Sequence, residues 1–346
     1  MRRRIFVTGS LLATAAAAAA VWRGRLGPDR SRAQPDGAEP LPDGRFFLRD
    51  AALAFGTTVS IAAVHENPDV ARRALAMALD EVHRIDRLMT VFRPESQVGR
   101  LNASGRLEDP DPGLVRVLEF SQELSALSDG AFDVTVQPLW LLFAMCKREG
   151  RLPSPAEVTA ARSLVGFGAL EVSRRRIALR RPGMSITLNG VAQGYAADVV
   201  LGSLREHGVE DALIDTGEYG AEGERERGKP WTIGIQHPRA PGTIVAAVAM
   251  DGRFLATSGD YATTFSEDFV YNHIFDPHTG YSPRRLSSVA VAAASGMEAD
   301  GLTKPMMVLE AGRAAALLSR FAGAGAVCID KGGSVVQAQG IRLVAG

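Results

Sequence analysis

From residue 55 onward the chain changes apolar rhythm in an ordered way. "FGTTVSIAAV" (55–64) is β-branched and predicts a strand. Asn67 and Pro68 then supply an N-cap and a first-turn proline, and Val70, Leu75, Ala78, Leu79, Val82, Ile85 and Met89 recur at helical spacing. A long amphipathic helix packed on that strand is expected. Leu114, Val117, Leu118, Leu124 and Leu127 mark a second helix over 112–127, stopped by Asp129-Gly130. A third, over 191–207, follows "ITLNG" and ends at His207-Gly208, where glycine can turn left-handed. "DALIDTG", "WTIGIQ", "TIVAAVAM" and "SSVAVAAA" are short apolar runs divided by Gly, Pro and Asp, which predicts strands. Strands and helices do not alternate as a doubly wound parallel sheet requires, so the fold class is α+β with a mostly antiparallel core.

Composition narrows this little. Of 346 residues, 46% are hydrophobic and 23% charged, and 39 Lys+Arg balance 39 Asp+Glu. That describes a globular protein with no basic stripe for nucleic acid. The N-terminus differs. "MRRRIFVTGSLLATAAAAAAVW" has arginines, an apolar run too short to span a bilayer comfortably, and small residues suited to signal peptidase. Residues 1–33 are therefore an export leader, with Ala20 and Ala33 both open as cleavage sites. Arg3-Arg4-Ile5-Phe6-Val7 fits the twin-arginine pattern, the alternative being a general secretion signal. Residues 34–44, rich in Pro, Gly and charge, are expected to be a flexible linker, with folded structure from Arg45 onward. The expected location is the periplasm, with no transmembrane segment in the mature chain. Cys146 and Cys328 are too few and too far apart for a metal motif, leaving buried thiols or one disulfide.

Four stretches hold more Gly, Asp, Thr and His than packing needs: "DGAFDVTVQPL" (129–139), "TLNGVAQGYAAD" (187–198), "LATSGDY" (255–261) and "NHIFDPHTGY" (272–281). Gly190, Gly194, Gly217, Gly259 and Gly280 let backbone approach a ligand, and a helix starting after Asn189-Gly190 aims its amides at an anion. Neither dinucleotide fingerprint nor Walker loop is present. Ser258, His273 and Asp276 leave a hydrolase triad open, although G-x-S-x-G is absent. Read blandly, Asp300 caps a helix, Asp133 ends a strand, and His65, His83, His207 and His237 are surface residues.

In this order the stretches resemble the ApbE family, the FAD:protein FMN transferases. The resemblance runs from Phe55 to Leu309 through "FGTTVSI", "RLMTVFRPESQVGRLN", "DGAFDVTVQPL", "TLNGVAQGYAAD", "ALIDTGEYGAEG", "WTIGIQHP", "LATSGDY", "HIFDPHTG" and "EADGLTKPMMVL". The "LNGVAQGY" and "DTGEYGAEG" variants and the leader are similar to the NosX branch. The resemblance implies transfer of FMN from FAD to a Thr or Ser hydroxyl, forming a phosphodiester and releasing AMP, with Mg²⁺ on the pyrophosphate. The implied partner is an acceptor flavoprotein of a membrane electron-transfer system, NosR-like, serving nitrous oxide respiration. An FAD-binding accessory protein without transferase activity is the alternative. The chain has no copy of the acceptor pattern Ser/Thr-Gly-Ala-Ser/Thr, so it is expected to act on another protein.

By position, the resemblance makes His273 the base for the acceptor hydroxyl. His278 falls at a variable position in the same turn. Phe55, Phe92, Ala131, Phe132, Asp133 and Ile274 stand at flavin-contacting positions, and Thr187 and Gln193 where the family often has Asp and Lys. Asp300 matches the carboxylate ligand of Mg²⁺ and Gly190 the carbonyl ligand. Where a threonine ligand is usual stands Lys304, which cannot ligate a metal. Either Lys304 points away and Thr303 substitutes, or Lys304 partly replaces the metal as counter-charge.

Overall fold

The computed structural model describes residues 37–337 and 340–344. The expected leader and residues 34–36 lie outside the described residues. One nine-stranded sheet organises the chain, and its strands are numbered here in chain order: β1 (Glu39–Pro40), β2 (Phe46–Ala54), β3 (Thr57–His65), β4 (Asp211–Asp215), β5 (Tyr219–Glu222), β6 (Phe254–Gly259), β7 (Leu286–Ala293), β8 (Gly325–Asp330) and β9 (Val335–Gln337). Chain order is also spatial order, and every neighbouring pair is antiparallel.

Both faces of the sheet are covered. In β3, Val59, Ile61 and Ala63 enter one core and Ala62 and Val64 another. In β7, Val289, Val291 and Ala293 alternate with Ala290 and Ala292 in the same way. That is why these strands are continuously apolar rather than alternating with polar residues. The first face carries helices α1 (Pro68–Met89), α6 (Ala192–Glu206) and α7 (Gly296–Val308), with α1 on β2 and β3 and α7 on β6 and β7. A small sheet of 232–236, 244–249 and 343–344 helps to cover the second.

The intervening helices are α2 (Gln97–Ser104), α3 (Pro112–Leu127), α4 (Gln137–Arg148) and α5 (Pro155–Arg162). Asn67 caps α1 by accepting from the Asp69 amide, and Ala71, Ala74, Leu75, Ala78, Val82, Ile85 and Met89 form its buried face. Burying Leu75, Val82 and Ile85 contributes on the order of 1.5–3 kcal/mol each. The predicted helix over 112–127 coincides with α3, and that over 191–207 with α6, which starts one residue later and ends one earlier.

Two boundaries differ from expectation. Residues 37–44 are not wholly linker: Glu39 and Pro40 pair with Phe47 and Phe46, and Arg45 bridges Asp43 and Asp211, tying this hairpin to β4. The strand read from Phe55 begins at Thr57. Phe55 and Gly56 are a two-residue hairpin loop with φ of +53° and +74°, the left-handed pair of a type I′ turn. The Phe55 N–H donates to Asp86 of α1 at 2.9 Å, an acceptor supplied from 31 positions away.

Among the described residues no helix is long and apolar enough to cross a membrane. Cys146 and Cys328 are buried free thiols, which resolves the open choice between thiols and a disulfide.

Candidate active site

A cavity of about 300 Å³ opens where α6, α7, the β4–β5 turn, the end of β6 and the 261–285 segment converge. Two helices make its floor by crossing at glycines. A Cβ on Gly194 would lie 2.1 Å from the Gly296 carbonyl oxygen, and one on Gly296 would lie 2.3 Å from that of Gly194. Each helix then caps the other. Asp198 of α6 accepts the first amides of α7, from Gly296 at 2.6 Å and Met297 at 3.0 Å. Asp300 of α7 accepts the Gly194 amide of α6 at 3.1 Å. The anion expected at the start of α6 is thus provided by the protein itself. Burial raises the Asp198 carboxyl to about 6, with the two amides opposing.

Asp300 is fully buried and pairs with Lys304 one helical turn on, whose ammonium also donates to the Asp300 carbonyl at 3.1 Å. Thr303 donates to the same carbonyl at 2.7 Å, and Ser258 meets its hydroxyl at 2.7 Å. Lys304 thus points towards Asp300 rather than away from it. The resemblance implies Mg²⁺ held by Gly190, Asp300 and a hydroxyl, and these residues do not fit it. Lys304 occupies one Asp300 oxygen, and its stem fills the space beside Gly190, where an added methyl group would lie 2.9 Å from the lysine Cε. The Thr303 hydroxyl is committed to the helix and Ser258. Among the described residues no cluster of three or more His, Cys, Asp or Glu could hold a metal ion.

The opposite wall is the 261–285 segment. Asn272 is buried and holds it in place: its amide N–H donates to Ser282, its carbonyl accepts from Ser282, and its side chain accepts the Ile274 N–H at 3.1 Å. Beneath, Phe143 of α4 packs against Phe265, Tyr271, Phe275 and Tyr281 at centroid distances of 5.2–6.3 Å. This frame puts half-buried His273 and buried Ile274 on the cavity wall. His273 Nδ1 lies 3.3 Å from the Thr263 carbonyl. A carbonyl only accepts, so the proton sits on Nδ1 and Nε2 keeps its lone pair. Burial, then the Lys304 charge, lowers the ring to about 4, so it is neutral at physiological pH.

Ala131, Phe132, Asp133, Thr187, Gly190, Gln193 and Lys304 complete the predicted residues that line this cavity. Two of them are held in place by bonds that leave them little freedom. Asp133 accepts from the Thr135 amide and hydroxyl at 2.7 and 2.6 Å and from the Phe167 amide at 2.8 Å, so its carboxylate organises the loop. Gln193 donates to the Thr216 carbonyl at 2.6 Å and thereby fixes the β4–β5 turn, where Gly217 has φ of +97°. Phe55 and Phe92 are not brought into the cavity. Phe55 is held in its hairpin, while Phe92 is 67% exposed, lines a separate groove of about 1100 Å³, and meets the cavity only through Trp140, 6.4 Å between centroids.

Trp140 and Glu218 line the cavity and escaped the sequence reading. Glu218 sits in the quoted "DTGEYG" but carries no local sign of burial; it is 7% exposed and accepts the Thr257 N–H at 2.9 Å. Burial and the Asp300 charge push its carboxyl well above the usual range, against Lys304. The hydrolase alternative fails on geometry, because Ser258 bonds Thr303 while Asp276 bonds the exposed His278 in its own turn. His278 is exposed and does not line the cavity.

The architecture is that of an α+β protein with a one-histidine cleft beside a glycine-crossed helix pair. The sequence profile of the ApbE family matches residues 55–328, and the chain belongs to that family. A Vibrio cholerae protein named FAD:protein FMN transferase is 31% identical over 263 residues, covering 73% of this chain and 79% of its own. The crystal structure of the ApbE protein from Thermotoga maritima superposes with a TM-score of 0.76 at 27% identity, over 85% of this chain and 97% of that one. The flavinyl transferase ApbE of Pseudomonas stutzeri gives 0.73 at 29% identity, over 85% and 95%.

Proposed function

We propose that this protein transfers FMN from FAD to a Thr or Ser hydroxyl of an acceptor protein, releasing AMP. The observation that carries this reading is His273, held neutral on the cavity wall with Nε2 unprotonated, opposite the Lys304 ammonium. In the transfer the acceptor oxygen forms a bond to the FMN phosphorus, and the bond from that phosphorus to the bridging oxygen breaks. AMP leaves with the electron pair, and the acceptor proton passes to His273 Nε2. In-line displacement of this kind depends on positioning and charge neutralisation. His273 removes the proton, the Asn272 frame fixes where it does so, and Lys304 faces the developing charge. The donor set of Gly190, Asp300 and Thr303 does not fit magnesium.

The finer reading is a periplasmic enzyme, exported folded through the twin-arginine route, that flavinylates a NosR-like acceptor of a membrane electron-transfer system in nitrous oxide respiration. Supporting it are the Arg3-Arg4-Ile5-Phe6-Val7 pattern and the "LNGVAQGY" and "DTGEYGAEG" variants. Mass spectrometry of an acceptor domain incubated with enzyme and FAD tests the transfer. An FMN increment on the acceptor is expected, and an unmodified acceptor beside FAD-loaded protein overturns it in favour of the accessory reading. For export, Arg3→Lys with Arg4→Lys is expected to retain the protein in the cytoplasm; unchanged export overturns the twin-arginine route.

A further inference from the structure

Lys304 of α7 lines the cavity beside Gly190. Its ammonium carries three donors. Two are engaged within α7, by the Asp300 carboxylate and the Asp300 carbonyl, and the group lines the cavity with a fifth of its side chain accessible. Asp300 in turn accepts the Gly194 amide at 3.1 Å on its other carboxylate oxygen. The stem passes close to Gly190, where an added methyl group would lie 2.9 Å from the lysine Cε. A fixed positive charge with one donor free, at the mouth of a buried ion pair, is built to receive an anion.

We propose that Lys304 is the pyrophosphate counter-charge of this protein, standing where a divalent cation would otherwise stand, so that FAD is bound without metal. The inference rests on FAD being the donor. Thr303 does not compete for the role, because its hydroxyl is closed between Ser258 and the Asp300 carbonyl. The ammonium meets the phosphate oxygens by charge-assisted hydrogen bonding, and the same contact persists as AMP departs with its added negative charge.

The test is FAD binding to the purified chain, followed by quenching of flavin fluorescence in EDTA and in MgCl₂. Equal affinity in both is expected. In Lys304→Thr, affinity in EDTA is expected to fall by about tenfold or more, from loss of a charged hydrogen bond, and MgCl₂ to restore part of it. Wild-type binding that collapses in EDTA and returns with MgCl₂ overturns the inference, and that comparison decides even where the variant fails to fold. The transfer reading fails separately. Metal-independent FAD binding with no FMN transfer overturns transfer and leaves Lys304 its role, whereas transfer that requires MgCl₂ does the reverse. Absence of FAD binding in both buffers overturns both.

Discussion

Gly194 and Gly296 meet backbone to backbone, and that contact sets how α6 and α7 cross beneath the cavity. A methyl group on either residue enters the other's carbonyl. Because backbone rather than a flexible side chain is struck, Gly194→Ala is expected to destabilise the fold by about 3 kcal/mol, the upper end of what overpacking costs. Urea unfolding measures it. A change within about 0.5 kcal/mol, as for a neutral surface substitution, would show that the helices can part freely.

His273 makes the pH dependence specific. The folded ring titrates near 4, whereas an unfolded histidine titrates near 6.5. Between those values the unfolded chain takes up a proton that the folded chain refuses, so the contribution of His273 to stability is present above about 6.5 and is lost as pH falls towards 4. The base itself stays unprotonated over the same window. The transfer rate is therefore expected to stay level as pH drops from 7 to 5.5 and to fall only near 4, with His273→Ala slower by roughly 10²–10⁴ on the level part of the profile. An inflection near 6.5 in the rate, or a His273 ring signal titrating there by NMR, contradicts this.

Asp198 works in the opposite sense. Its folded carboxyl is raised to about 6 above an ordinary value of 3.8, so its contribution is present at low pH and is lost as pH rises through about 6. Asp198→Asn cannot titrate. Wild type is expected to gain stability relative to the variant as pH falls from 7 to 5, read as a difference in thermal midpoint. A difference that is flat with pH contradicts the assignment.

Phe143 is almost fully buried among four aromatic rings under the His273 segment. Phe143→Ala is expected to cost about 3–5 kcal/mol. Limited proteolysis should open the 261–285 segment first, with transfer falling before FAD binding does. Cleavage elsewhere before that segment would show that the aromatic cluster does not hold it.

Much of this arrangement was legible in the sequence because its causes are local. The Asn67 cap with its proline and the apolar stripes of α1, α3 and α6 belong to the segments they organise, and turn residues divide the strands cleanly. The rest depends on residues distant in sequence. The Phe55-Gly56 hairpin continues a β-branched run, and the acceptor that holds it is on α1. Asp133 faces a cavity yet serves Thr135 and Phe167. Glu218 looks like any polar turn residue until the β4–β5 turn and β6 enclose it. Lys304 was ambiguous because its orientation depends on whether Asp300 is free, and that is decided by Gly194, 106 positions away.

The central claim is that this cleft moves FMN from FAD to another protein. The direct measurement is intact-mass spectrometry of an acceptor domain carrying a Ser/Thr-Gly-Ala-Ser/Thr sequence after incubation with the protein and FAD, with AMP quantified in the same mixture. The account predicts one FMN increment per acceptor domain, matched by an equal amount of AMP, with both forming roughly 10²–10⁴-fold more slowly in His273→Ala. An acceptor of unchanged mass with no AMP formed, while FAD remains bound, contradicts it.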